Sequence, residues 1–110
     1  MAAQPPDLVA ELVSQLGGCA AVTVQRFFGG WQLRHAGQQF AIVMKGTLYF
    51  KVNDNLRGEM QRLGCRPFSY ATAGGPILVP KYMSAPEDCL DDADVLLDWV
   101  QRVTATLIHP

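Results

Sequence analysis

A chain of 110 residues with 49% hydrophobic and 17% charged residues is the size and balance of one globular domain, with enough apolar residues for a core of its own. Its three cysteines, Cys19, Cys65 and Cys89, are far apart and form no Cys-x-x-Cys pair, which argues against a disulfide framework and against a zinc site. The net charge of −1 hides an asymmetry: residues 1–85 hold eight of the nine Lys/Arg and four of the ten Asp/Glu, leaving one and six in residues 86–110.

No run approaches the ~20 apolar residues of a membrane span, and no basic residue precedes the first apolar run, so a soluble cytoplasmic protein is expected. Pro5-Pro6-Asp7 opens a first helix in which Leu8, Leu12 and Leu16 fall at i, i+4, i+8, and Gly17-Gly18 ends it. Cys19-Ala20-Ala21 then leads into a series of short strands: Val22 to Phe28, Trp31 to His35, Gln39 to Met44 and Thr47 to Val52. Gly29-Gly30, Ala36-Gly37 and Lys45-Gly46 separate them, and connections this short allow only an antiparallel meander. Strict alternation sends Phe40, Ile42 and Met44 to one face of the third strand and Ala41 and Val43 to the other; both sets are apolar, so that strand is expected to be central and covered on both sides.

Asn53-Asp54-Asn55 supplies cap oxygens for a helix over about Asp54 to Leu63, with Gly64 as its natural end. Pro67 to Thr72 reads as a fifth strand and Pro76 to Tyr82 as a sixth. The two prolines, Pro76 and Pro80, place the sixth at an edge, or leave it paired on one side only. Ser84-Ala85-Pro86-Glu87 has the pattern of a capping box, and Asp91-Asp92 offers a second cap. Val95, Leu96, Trp99, Val100, Val103 and Leu107 form the stripe of a final long helix. The expected fold is α+β: an antiparallel sheet of five to six strands with three helices, in the order α-β(3-4)-α-β(2)-α, as a single domain over 1–110.

Chemistry is sparse. His35 and His109 have no carboxylate or cysteine at ligand spacing, and Cys65 has only Arg66 beside it to lower its pKa. The turns lack the Gly-x-Gly-x-x-Gly spacing of a phosphate loop, and the acidic run from Glu87 to Asp94 lacks the ligand order of an EF-hand. No catalytic, metal or cofactor constellation is expected. Arg26, Arg34, Lys51 and Lys81, interleaved with Trp31, Tyr49 and Tyr82, are the candidate interaction face, of a kind that can serve proteins or single-stranded nucleic acid.

Four segments taken in order resemble the N-terminal domain of the TfoX (Sxy) family, associated with bacterial competence regulation. They are Phe27-Phe28-Gly29-Gly30-Trp31-Gln32-Leu33, Leu48-Tyr49-Phe50-Lys51-Val52, Pro67-Phe68-Ser69-Tyr70, and Pro86-Glu87-Asp88-Cys89-Leu90-Asp91-Asp92 continuing to Trp99. Phe27 and Gln32 depart from the family's usual Met and Gly, and Val79-Pro80-Lys81 from its usual edge-strand residues. The resemblance covers about residues 24–107 and implies the fold and a regulatory, partner-binding role. The motif residues (Phe28, Gly29, Gly30, Trp31, Leu48, Tyr49, Lys51, Val52, Pro67, Phe68, Tyr70, Pro86, Glu87, Trp99) read as structural: glycines for a bulge, aromatics for the core, acids for caps.

The leading expectation is a small non-enzymatic protein-interaction module, a co-regulator acting through protein partners that include transcription machinery, and a homodimer built through the sheet face or its edge. A nucleic-acid binder using the basic face is the alternative, although a pI near 6.0 and the lack of a helix-turn-helix pattern weigh against it. A hydrolase or transferase using Cys65 or His35 ranks last.

Overall fold

A computed structural model describes residues 7–16 and 22–108. The expected features at Pro5-Pro6, Gly17-Gly18, Cys19-Ala20-Ala21 and His109 lie outside the described residues. The elements are α1 (Asp7–Leu16), β1 (Val22–Phe27), β2 (Gly30–His35), β3 (Gln38–Met44), β4 (Thr47–Lys51), α2 (Asp54–Arg62), β5 (Pro67–Thr72), β6 (Gly75–Ser84), α3 (Asp88–Asp91) and α4 (Ala93–Ile108). All six strands form one antiparallel sheet in the order β1-β2-β3-β4-β6-β5.

The meander owes its regularity to its turns. Phe28-Gly29, Ala36-Gly37 and Lys45-Gly46 are each a two-residue loop with positive φ at both positions (+44 and +83, +51 and +81, +52 and +78). That is the mirror-image turn whose twist matches the strands it joins. Glycine occupies the second position without strain each time, while Phe28, Ala36 and Lys45 take up the left-handed conformation that side chains resist.

The sixth strand is not an edge. β6 pairs with β5 from Gly75 to Val79 and again at Met83, and bonds β4 on its other side through Tyr82, Met83 and Ser84, so β5 and β1 are the edges. Pro76 stands where β5 is the single neighbour and Pro80 in the irregular stretch between the Phe68–Val79 and Pro67–Met83 pairs, which is how a proline-bearing strand enters the interior of a sheet.

Four helices are present among the described residues where three were expected, and the extra one comes from capping. Ser84 does not cap: it ends β6, and its Oγ accepts a bond from the Arg66 amide at 2.9 Å. Glu87 precedes α3 in a helical conformation with no side-chain cap bond. Asp92 interrupts the helix with extended backbone, and its carboxylate accepts from the amides of Asp94 (2.9 Å) and Val95 (3.4 Å), starting α4 afresh. α2 runs as expected. Asn53 caps it through the Leu56 amide at 2.9 Å. At its end Gly64, with φ +87, lets the Gly64 and Cys65 amides reach the Gln61 and Met60 carbonyls at 3.0 Å each.

The helices pack on one face of the sheet. Val9 and Leu12 of α1, Leu56 and Met60 of α2, Cys89 of α3 and Leu96, Trp99, Val100 and Val103 of α4 share a core with Leu33, Val43, Leu48, Phe50 and Met83 of the strands. Within β3 strict alternation fails. Leu33 pairs with Ala41 but Arg34 with Gln39, so Phe40 is an extra residue in β3. This bulge turns Phe40 to the helix side, where it is fully buried beside Ala41 and Val43 rather than opposite them. Arg102 of α4 ties the helical layer together by stacking 4.3 Å over Trp99 and pairing with Glu59 of α2.

Candidate binding face

Strand pairing sorts the expected interaction residues onto two faces. Arg26 lies opposite Trp31, and Trp31 packs against the helix-side core with the Arg26 guanidinium 5.0 Å over its ring. Both therefore belong to the covered face, contrary to the sequence reading. Arg34, Tyr49, Lys51 and Tyr82 lie on the helix-free face, as register partners of Thr23, Ile42 and each other dictate. Ile42 is fully buried there even though none of the described helices covers it.

The sheet buries it by curling. Phe27 is on the edge strand β1 and Tyr82 on β6, four strand spacings away, which a flat sheet would separate by roughly 19 Å. Their ring centroids are 6.5 Å apart. The right-handed twist brings these corners together over the open face. Phe68 joins them, 6.4 Å from Tyr82, 5.2 Å from Tyr49 and 6.4 Å from Tyr70.

The result is a cleft of about 440 Å³ walled by Phe27, Phe28, Phe68, Tyr70 and Tyr82, with Met44 and Lys81 completing the lining. Phe28 was expected in the core. Instead it is 87% exposed, edge-on to Phe27 at 4.8 Å, because the first residue of a two-residue turn stands at the hairpin tip. Phe27 and Met44 were missed as site residues; only their parity with Gln25 and Ile42 on the alternating strands signalled their face.

The polar groups of the cleft are few and ordered. The Tyr82 hydroxyl donates to Gln39 Oε1 at 2.6 Å, and Gln39 Nε2 donates to Gln32 Oε1 at 3.1 Å, a chain of bonds across β6, β3 and β2. Burial pushes the Tyr82 phenol above its ordinary pKa, with the Gln39 bond pulling the other way. Lys81 Nζ sits 5.3 Å from the Tyr82 ring centre. No Asp or Glu occurs on any of the six strands.

The family model of the TfoX N-terminal domain matches residues 14–106, from within α1 to the last turns of α4. The chain belongs to the TfoX N-terminal domain family. A search of curated proteins finds no match.

In this TfoX N-terminal domain the two motif glycines do different work. Gly29 has φ +83 and open space around it, so it serves the turn. Gly30 serves close approach: a β-carbon there would stand 2.4 Å from the Val43 carbonyl oxygen and 2.3 Å from Met44 Sδ. Neither makes the bulge that the sequence suggested; that lies at Phe40. Leu48, Val52 and Trp99 are core residues as expected, and Tyr49, Lys51, Phe68 and Tyr70 share the open face or its cleft. Pro67 opens the edge strand β5.

Pro86 and Glu87 line a second hollow of about 680 Å³, with Cys65, Arg66, Asp88 and Trp99. There Cys65 does not have the lowered pKa that Arg66 suggested: burial raises it. Cys89 is pushed up to about 12, by burial first and then by Cys65 and Asp88. A protonated thiol is a poor nucleophile, and His35, at the far end of β2 opposite Val22, does not line this hollow. Among the described residues no three His, Cys, Asp or Glu are grouped to hold a metal ion, and no helix is long and apolar enough to cross a membrane.

Proposed function

We propose that this TfoX N-terminal domain is a non-enzymatic protein-interaction module that docks a partner at the aromatic cleft, in keeping with the regulatory role its family resemblance implies. One observation carries the reading. Phe28, a bulky apolar residue, is held in the left-handed conformation at φ +44 and 87% exposed, beside a ready-made apolar cleft. Strain and exposure together disfavour phenylalanine at that position, and strained residues of this kind cluster at binding sites. Aromatic side chains in a pocket are the usual anchors of protein interfaces. The raised thiol pKa values of Cys65 and Cys89 favour binding over nucleophilic catalysis.

Affinity capture from native lysate with the wild-type domain and with Phe28→Asn, each with and without nuclease, tests it. Nuclease-resistant partners that the variant loses are expected. A partner set retained equally by both proteins rules out the cleft as the docking site. The same reading includes self-association through the free edge. Residues 67–80, the β5–β6 hairpin up to Pro80, contain no charged residue, although charge is the usual protection of an exposed edge. Tyr70, Ile77 and Leu78 are 46%, 44% and 62% exposed on it. Two copies can pair β5 against β5 without like-charge repulsion. Light scattering on a sizing column should give a mass near twice 12.1 kDa, reduced to a monomer's by Ser69→Lys; a wild-type monomer at every concentration contradicts the pairing.

A further inference from the structure

The charges around the cleft have one sign. Lys81 stands at the Tyr82 ring, and Lys51 lies opposite Tyr82 on the neighbouring strand. Among the described residues neither lysine has a carboxylate within ion-pair distance, since the ion pairs formed are Arg57–Asp54 and Arg102–Glu59. The absence of acidic residues extends over all six strands, and every acid from Asp54 onward belongs to a helix or to a residue flanking one. An apolar cleft with one uncommitted cation in its lining, Lys81, and a second, Lys51, one strand over from its Tyr82 wall selects an occupant with apolar bulk in the middle and negative charge around it.

The cleft is also open. Its Phe28 wall is 87% exposed and its Tyr70 wall 46%, both at or near hairpin tips. A small molecule here would leave much of its surface in water, where ligand pockets enclose most of it. A polypeptide segment runs past such walls and sets one side chain between them.

We infer that the cleft takes an acidic segment of a partner protein, with an aromatic or large aliphatic side chain between Phe27, Phe28 and Tyr82 and its carboxylates against Lys51 and Lys81. This rests on the protein-docking reading above and adds the chemistry of the partner. Single-stranded nucleic acid shares the negative charge and can stack on aromatics, but its charge is on every residue. Two lysines beside the cleft suit a segment with a few carboxylates and an apolar centre.

Fluorescence anisotropy with four labelled probes tests the inference on the intact chain: a short peptide with a central Trp-Leu pair flanked by Asp and Glu, the same peptide with Ala for Trp and Leu, the same with Lys for every acid, and an oligothymidylate. Binding of the acidic Trp-Leu peptide alone is expected, weakening as salt rises. Lys51→Gln with Lys81→Gln should weaken it about tenfold, the scale of one lost charge-assisted contact. The thermal midpoint should not move, and amide shifts on titration should centre on Phe28, Tyr70 and Lys81. Equal binding of the acidic and basic Trp-Leu peptides overturns the inference but leaves apolar docking at the cleft standing. Binding of neither peptide, with partners still lost by Phe28→Asn in the capture experiment, overturns it with the same consequence. Tighter binding of oligothymidylate than of any peptide overturns both.

Discussion

Replacing Phe28 with asparagine should strengthen the fold while abolishing docking. At φ +44, next to Gly29 at φ +83, position 28 is the first residue of a turn for which Asn-Gly is the favoured pair. A residue with a β-carbon held in the left-handed region loses roughly 1–2 kcal/mol, and asparagine relieves much of that through its short polar side chain. Against this stands the edge-on contact with Phe27 at 4.8 Å, about 0.5 kcal/mol for a pair with one ring in water. Little burial is lost, because 87% of Phe28 is already exposed. The balance is a gain of about 0.5–1 kcal/mol, which in a domain of this size raises the thermal midpoint by about 4 °C. Circular dichroism melts of the two proteins read the gain directly, and the anisotropy probe reads the loss. A lower midpoint for Phe28→Asn would mean that the ring is part of the packed core, and the reasoning would fail.

Trp99→Ala should destabilise by roughly 3–5 kcal/mol, since the indole is buried in the α4 core under the Arg102 guanidinium; a urea midpoint at or above those of Cys65→Ser and His35→Ala would contradict the docking of that helix. Gly30→Ala should cost about 3 kcal/mol, because a backbone oxygen of Val43 cannot move aside, whereas Gly29→Ala, in open space, should cost only about 1 kcal/mol of backbone strain. The reverse order in urea melts refutes the assignment of one glycine to approach and the other to the turn. Stability should also fall as pH rises above 9: Cys89, Cys65 and Tyr82 all have raised pKa values in the folded state, so the unfolded chain releases its protons first and is favoured from about pH 9 up towards 12. A urea midpoint constant between pH 8 and pH 11 (both approximate settings of the assay) would show that these groups titrate alike in both states.

Most of the fold was legible because its signals are local. A glycine as the second residue of each two-residue turn punctuates the meander, and Asn53 and Gly64 bracket α2 within a residue of where it lies. What could not be read depends on partners distant in sequence. The bulge at Phe40 is defined by its register against Leu33 and Arg34, which no pattern within β3 reveals. Ser84 has the spacing of a helix cap, but the Arg66 amide claims its oxygen first. The candidate face was half legible: alternation placed Tyr49 and Lys51 together, but Tyr82, Trp31 and Arg26 were grouped with them on chemical type alone, and only Tyr82 shares their face, opposite Lys51. Leu33, two residues on from Trp31 along β2, belongs to the core, and that parity assigns Trp31 to the covered side.

The attachment of β6 to β4 through its last residues has a further consequence for how the cleft comes into being. Phe27, Phe28 and Met44 are supplied by a meander closed by adjacent turns, whereas Phe68, Tyr70 and Tyr82 arrive on a hairpin whose backbone joins it along the end of β6, from Lys81 to Ala85. Contacts local in sequence form early and distant ones late, so the two halves of the cleft are finished surfaces before they meet. The cleft is thus a seam between two separately folded pieces, and a partner seated in it clasps them together, drawing stability for the whole domain from its own binding.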